Sequence, residues 1–233
     1  MTARAAVAEG IATAFLMIAI VGSGVMAERL SGGNVALALL ANALATGGAL
    51  FALIVTFASL SGAHMNPLVT VMVAASGEFP WRVVPAQIAA QIIGAIGGVW
   101  ITHAMFTMPI LEFSRHQRTG TGQWIAEAVA TFGLLIVIKG AAKHGTQTVA
   151  GAVAAYITGA YWFTSSTSFA NPAVTFARSL TDSFAGIRPI DAPGFIVAQV
   201  AGALLALLVV MPSALGRLQR LSMALRSSLS FLR

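Results

Sequence analysis

The sequence predicts an all-α membrane protein of six transmembrane helices and two re-entrant half-helices, arranged as an inverted repeat. Three observations carry this. Of 233 residues, 58% are hydrophobic and only 9% charged, where a soluble domain carries about 25% charged residues to wet its surface. The apolar residues gather into six runs long enough to span a bilayer. The second half of the chain repeats motifs of the first. Thirteen Lys and Arg against seven Asp and Glu give a formal net charge of +6. The cations are scattered through loops and the C-terminus, which reads as a topology signal and not as a nucleic-acid surface. Cysteine is absent, so disulfides and thiolate metal sites are excluded.

A bilayer core asks for about 20 apolar residues per helix. Six candidates fall at 6–26, 35–57, 83–106, 123–139, 148–163 and 193–214. The first apolar stretch, Ala5 to Met26, is too long for the core of a cleaved leader and contains Glu9, so it reads as a retained span. Breaks such as Glu28 to Gly33 and Glu112 to Gly122 separate the spans. Two further segments, Ser59–Gly77 and Thr164–Asp182, are too apolar for loops and too short to cross, the pattern of re-entrant segments. One membrane domain therefore occupies 1–233, with a first repeat at 5–106, a second at 123–214 and a basic tail at 215–233.

Sidedness follows from the cations. Arg4, Arg82, Lys139, Lys143, Arg217, Arg220, Arg226 and Arg233 fall on one side, and Arg29, Arg115, Arg118, Arg178 and Arg188 on the other. That bias places both termini in the cytoplasm. In the tail, Arg217, Arg220 and Arg226 alternate with leucines, which suits either a helix lying on anionic lipid or a frayed basic end.

The duplication is explicit. Ala126-Glu127 with Ala130-Thr131 repeats Ala8-Glu9 with Ala12-Thr13, and Asn171-Pro172-Ala173-Val174-Thr175 repeats Asn66-Pro67-Leu68-Val69-Thr70. Ala198-Gln199 with Gly202-Ala203 repeats Ala90-Gln91 with Gly94-Ala95. The offsets of 118, 105 and 108 residues differ as loops of unequal length require. An odd number of spans per repeat inverts the second half, and inverted repeats share a site near the midplane.

Asn is a favoured N-cap and Pro is tolerated at the first helical position, so each Asn-Pro reads as the start of a short helix. Two such N-termini meeting from opposite faces each present about half a positive charge. Such a junction repels cations and favours neutral, hydrogen-bonding solutes. Glu9 and Glu127 lie inside apolar spans, where a carboxylate is costly unless partnered. A proton relay is one reading; acceptance of unpaired backbone N–H groups from the re-entrant segments fits the symmetry better. His64, His103, His116 and His144 show no metal-ligand spacing, and no nucleophile triad is evident, which argues against an enzyme. No cofactor or metal is expected.

Ser61-Gly62-Ala63-His64-Met65-Asn66-Pro67-Leu68-Val69-Thr70, with Asn171-Pro172-Ala173 and the paired Glu, resembles the aquaporin and aquaglyceroporin family over residues 5–212. The resemblance implies an hourglass fold, a homotetramer with one pore per protomer, and passive flux of water, glycerol or similar neutral solutes. It also implies an integral protein of a bacterial inner membrane, with membrane lipid as its other partner. The alternatives are a water-selective aquaporin or a secondary active transporter. Departures from the family pattern are informative. Leu68 stands where the family usually has Ala, an enlargement near the midplane, and Val174 where it generally has a filter Arg. Carried over by spacing, the other filter positions are Thr46, Gly159 and Ser168, giving a small, uncharged ring. Arg178, one helical turn beyond Val174, either supplies the missing pore charge or pairs with Asp182, with the pairing favoured. His64 is expected at the cytoplasmic vestibule, or as a loop cap. A wide filter with Val174-Thr175 also looks like bacterial aquaglyceroporins linked to arsenic resistance, implying arsenite as its neutral trihydroxide and methylated arsenicals.

Overall fold

The computed structural model describes residues 3–210. The basic tail at 215–233 and the end of the sixth span at 211–214 lie outside the described residues. Among the described residues, eight helical segments follow one another: α1 Ala3–Leu30, α2 Val35–Ser61, α3 Pro67–Ala75, α4 Trp81–Met105, α5 Thr121–Ala142, α6 Thr146–Phe163, α7 Pro172–Arg178 and α8 Ala192–Val210. No strand occurs among the described residues. Five of the eight (α1, α2, α4, α5 and α8) are long and apolar enough to cross a membrane. The remaining long helix, α6, has 18 residues and opens on Thr146-Gln147-Thr148, which makes it the most polar of the six long helices. The predicted fold class is the observed one.

The local chemistry explains where the short helices begin. Gly62, at φ 93°, ends α2 in the left-handed region that glycine enters without penalty. The chain then runs irregularly to Asn66, whose side chain accepts from Leu68 N as α3 starts at Pro67. In the second half Asn171 accepts from Ala173 N and Val174 N, and α7 starts at Pro172.

The helices pack as two symmetry-related sets, α1 on α4 and α5 on α8, with α2 lying against α6 between the halves. Missing side chains allow the closest approaches. A Cβ on Gly94 would stand 2.1 Å from Gly10 O, and one on Gly202 would stand 2.2 Å from Ala128 O. Gly10 and Ala128 are themselves 118 residues apart, the same offset as the paired Glu. Side chains outside these seams are apolar and exposed, among them Phe15, Leu44, Trp100, Ile125 and Leu205. A surface of this kind is stable against lipid and not against water.

Candidate functional site: a pore through the junction of two half-helices

The two Asn-Pro turns are held against each other. Asn66 Nδ2 donates to Ala170 O at 2.8 Å, and Asn171 Nδ2 donates to Met65 O at 2.7 Å. Each side-chain oxygen caps its own helix, and each amide nitrogen ties its turn to the opposite one. A carboxamide NH2 carries two donors, and the second N–H of each Asn has no partner among the described residues.

Buried carboxylates hold the turns from behind. Glu9 accepts from Met65 N at 2.5 Å, Ser61 Oγ at 2.6 Å and Gln91 Nε2 at 2.8 Å. Glu127 accepts from Phe169 N at 2.8 Å, Ala170 N at 2.9 Å and Gln199 Nε2 at 2.6 Å. Gln91 also donates to Thr70 Oγ1 and Gln199 to Thr175 Oγ1, so each Glu is linked through its Gln to a half-helix. These glutamines belong to the sequence repeat, yet their function as struts was not evident from it. The segments being held are strained: Ala63, Met65, Ser168 and Ala170 all have φ between 48° and 52°. Non-glycine residues enter that region at about 1–2 kcal/mol each, which the Glu and Asn contacts offset.

A cavity of about 210 Å³ follows the junction. Its lining includes Glu78 and Ala142, Asn66 and Asn171 of the two turns, and Thr46, Ser168 and Arg178. Its apolar wall is duplicated as well: Leu16 and Ile20 of α1 correspond to Leu134 and Ile138 of α5 at the 118-residue offset. A second space of about 510 Å³ opens beside Glu78, Phe79 and Pro80, with His64 between the two. His64 Nδ1 lies 3.1 Å from Thr70 Oγ1, and its ring meets Phe79 edge-on at 5.2 Å.

Several sequence expectations need correction. Gly159 does not line the cavity; Ile157 and Tyr161 do. On a helix, residue 159 points about 160–200° away from 157 and 161, and a Cβ there would meet only Phe163. Tyr161 OH lies 3.3 Å from Thr46 Oγ1, and both residues line the cavity. Leu68 packs away from the cavity, with Met72, Leu135, Ala203 and Ala206, so it does not enlarge the pore. Arg178 does not pair with Asp182. α7 ends at Arg178, so the i,i+4 relation lapses, and Asp182 bonds Arg115 Nε at 2.6 Å and Arg115 N at 2.8 Å. Arg178 is instead buried at the cavity. Its guanidinium carbon sits 3.3 Å from the centroid of Phe169 and its Nε donates to Ala185 O.

Arg118 was not singled out by sequence. It packs over Phe169 at 5.3 Å and donates to the carbonyls of Gly186, Ser166 and Phe184. Burial lowers its pKa. No sequence signal distinguished it from the other loop cations. Among the described residues, no group of three His, Cys, Asp or Glu could hold a metal ion.

Half-helices meeting at capped N-termini inside a bundle of lipid-facing helices define a membrane channel. The family model for the major intrinsic protein family matches residues 1–169, and the chain belongs to that family. It is 48% identical over 204 residues to aquaglyceroporin AqpS of Rhizobium meliloti (strain 1021), covering 88% of this chain and 87% of that protein. Shorter stretches match aquaporin NIP1-1 of Zea mays, at 40% over 91 residues, 36% of this chain and 30% of the relative. The glycerol uptake facilitator protein of Bacillus subtilis (strain 168) matches at 54% over 44 residues, 19% of this chain and 16% of the relative. The X-ray structure of the aquaglyceroporin from Plasmodium falciparum superimposes with a TM-score of 0.68 and 22% identity, covering 89% of this chain and 93% of that one. That likeness bears on fold alone. The chain is an integral membrane protein, and its family is one of channels for small solutes, not of enzymes.

Proposed function

We propose that the chain is an aquaglyceroporin, a passive channel for glycerol, neutral metalloid acids such as arsenite, methylated arsenicals and water. The observation that supports this best is the cavity past Asn66 and Asn171, whose lining combines these amides with apolar side chains. Glycerol and As(OH)3 offer hydroxyl oxygens to the free amide N–H groups while their remaining surface meets Leu16, Ile20, Leu134 and Ile138. A cation ~4 Å from two half-charges at an effective dielectric near 20 meets roughly 4 kcal/mol of repulsion. A neutral solute meets none. Glu9 and Glu127 are fully committed to holding the turns, which speaks against the coupled-transporter alternative. Val174 lines the cavity where the family generally has Arg, and this favours solutes larger than water over a water-selective pore. Thr46, Ser168 and Val174 are the filter residues in this reading, with Tyr161 in place of Gly159, and His64 at the cytoplasmic vestibule.

The reading includes a homotetramer with one pore per protomer, set in the bacterial inner membrane with both termini in the cytoplasm. Stopped-flow light scattering on proteoliposomes tests the function. Glycerol and urea permeability should rise well above protein-free vesicles, saturate with neither solute, and ignore imposed proton or sodium gradients. Accumulation of glycerol against its own gradient would remove the channel reading.

A further inference from the structure

We propose that Asn42 is a positioning residue for size selection: by holding a π-turn in α1, it fixes how far Ile20 stands into the pore. The inference deepens the channel reading and rests on it.

α1 is not a uniform α-helix. Ile18–Gly22 make one π-turn, in which each N–H reaches one residue further back than usual; such turns are rare and occur frequently at functional sites. The corresponding stretch of the second repeat, 136–140 at the 118-residue offset, is regular α-helix within α5. The duplication therefore breaks at this point, and Ile20, the counterpart of Ile138 in the cavity wall, lies inside the turn. A widened turn displaces carbonyls from the helical ladder, and buried carbonyls need donors. Two side chains supply them. Asn42 Nδ2 donates to Ile20 O at 2.9 Å and to Ser23 Oγ at 2.8 Å, and Ser23 Oγ donates to Ala19 O. Both N–H groups of the Asn42 amide are thus spent on the turn. Asn42 is 1% exposed and is the only carboxamide in α2, where an amide is costly unless paired. Packing seats the same segment: a Cβ on Gly22 would stand 3.4 Å from Phe106, and one on Gly24 3.5 Å from Ala185. Neither Asn42 nor Ser23 lines the cavity, so both act on a solute through the backbone that carries Ile20.

Glycerol and erythritol separate size from chemistry, since they differ by one hydroxylated carbon. Without its tether the Ile20 segment samples positions set back from the pore, and the larger polyol gains most. One hydrogen bond's net contribution corresponds to about a fivefold change in a population, so Asn42→Leu should raise the erythritol-to-glycerol permeability ratio by about that factor. Ser23→Ala should move the ratio the same way by less. Ile20→Ala should raise it directly, and adding Asn42→Leu to Ile20→Ala should change it no further, because the amide acts through that side chain. A folded Asn42→Leu variant with the wild-type ratio overturns the proposal. So does an equal loss of both polyols, which a merely structural role predicts. An undiminished effect of Asn42→Leu in the Ile20→Ala background also overturns it, as does an unchanged ratio in Ile20→Ala alone. Should Asn42→Leu not fold, an unchanged ratio in Ser23→Ala overturns it. Wild-type vesicles that pass no neutral solute at all would defeat the channel reading instead, an outcome distinct from these.

Discussion

At the scale of single residues, the proposed reading turns on Val174, which lines the cavity where the family generally has an arginine. Val174 is 3% exposed, apolar and close to the second Asn-Pro turn; Arg178 stands one turn farther along α7. A valine there leaves cavity space beside Asn171 that an arginine side chain would take. Val174→Arg should undo this. The new guanidinium would fill part of a cavity of only about 210 Å³ and would face Arg178 with no carboxylate between them. Glycerol and urea permeability should fall by about tenfold, and water by much less, in stopped-flow measurements on the same vesicles. Equal losses for water and glycerol would place Val174 outside the narrow part of the pore.

At the scale of elements, most of what the sequence announced is what the helices do, and its failures have local causes. The six spans and two half-helices were legible because lipid demands long apolar runs and Asn-Pro marks a helix start. The fourth span, expected at 123–139, is longer in the structure. α5 continues to Ala142, and Lys139 reaches from it to Ser76 Oγ at 3.1 Å and to the Glu78 carboxylate. Gly159 was misplaced because its position was counted back from Asn171 through 164–170. That stretch is irregular, with Thr167, Ser168 and Ala170 at positive φ, so counting does not preserve a helix face. The Arg178–Asp182 pair failed because the helix stops first. The glycine seams yield a sharp expectation. A Cβ on Gly202 would press on Ala128 backbone, which cannot rotate away, whereas one on Gly97 meets nothing within 4 Å. Gly202→Ala should therefore cost about 1–3 kcal/mol through overpacking and lower the apparent melting temperature followed by tryptophan fluorescence. Gly97→Ala should leave it unchanged or raise it slightly, since alanine is the better helix former. Equal melting of the two variants would mean that α5 and α8 are not in close contact.

At the scale of the whole molecule, the two repeats are joined through a connection, residues 106–120, that lies clasped against the outer part of the second repeat. Ser114 N donates to Ser179 O at 3.0 Å and Arg188 N donates to His116 O at 2.8 Å. His103 Nε2 lies 2.8 Å from Thr181 Oγ1, tying α4 to the same region. Two carboxylates complete the clasp. The Arg115 backbone N–H, then its guanidinium, hold Asp182 below the usual carboxylate range, against a smaller opposing effect of burial. For Asp191, burial pushes upward, but the Arg188 side chain at 2.9 Å and the Arg118 N–H at 2.9 Å together outweigh it and lower the pKa. Both groups are thus more acidic folded than unfolded, where a free Asp titrates near about 3.9. Their stabilisation is complete above that value and is lost as pH falls through the lower, folded values. Hydrogen exchange in peptides spanning 112–119, corrected for the intrinsic pH dependence of exchange, should show constant protection from pH 7 to pH 5 and a decline only below about pH 4. Asp182→Asn should reduce protection across the plateau from pH 7 to pH 5, with the difference from wild type closing as pH falls below about 4. Loss already beginning between pH 6 and 7, well above the range in which either aspartate takes up a proton, would show that the connection between the repeats is not held by the paired carboxylates.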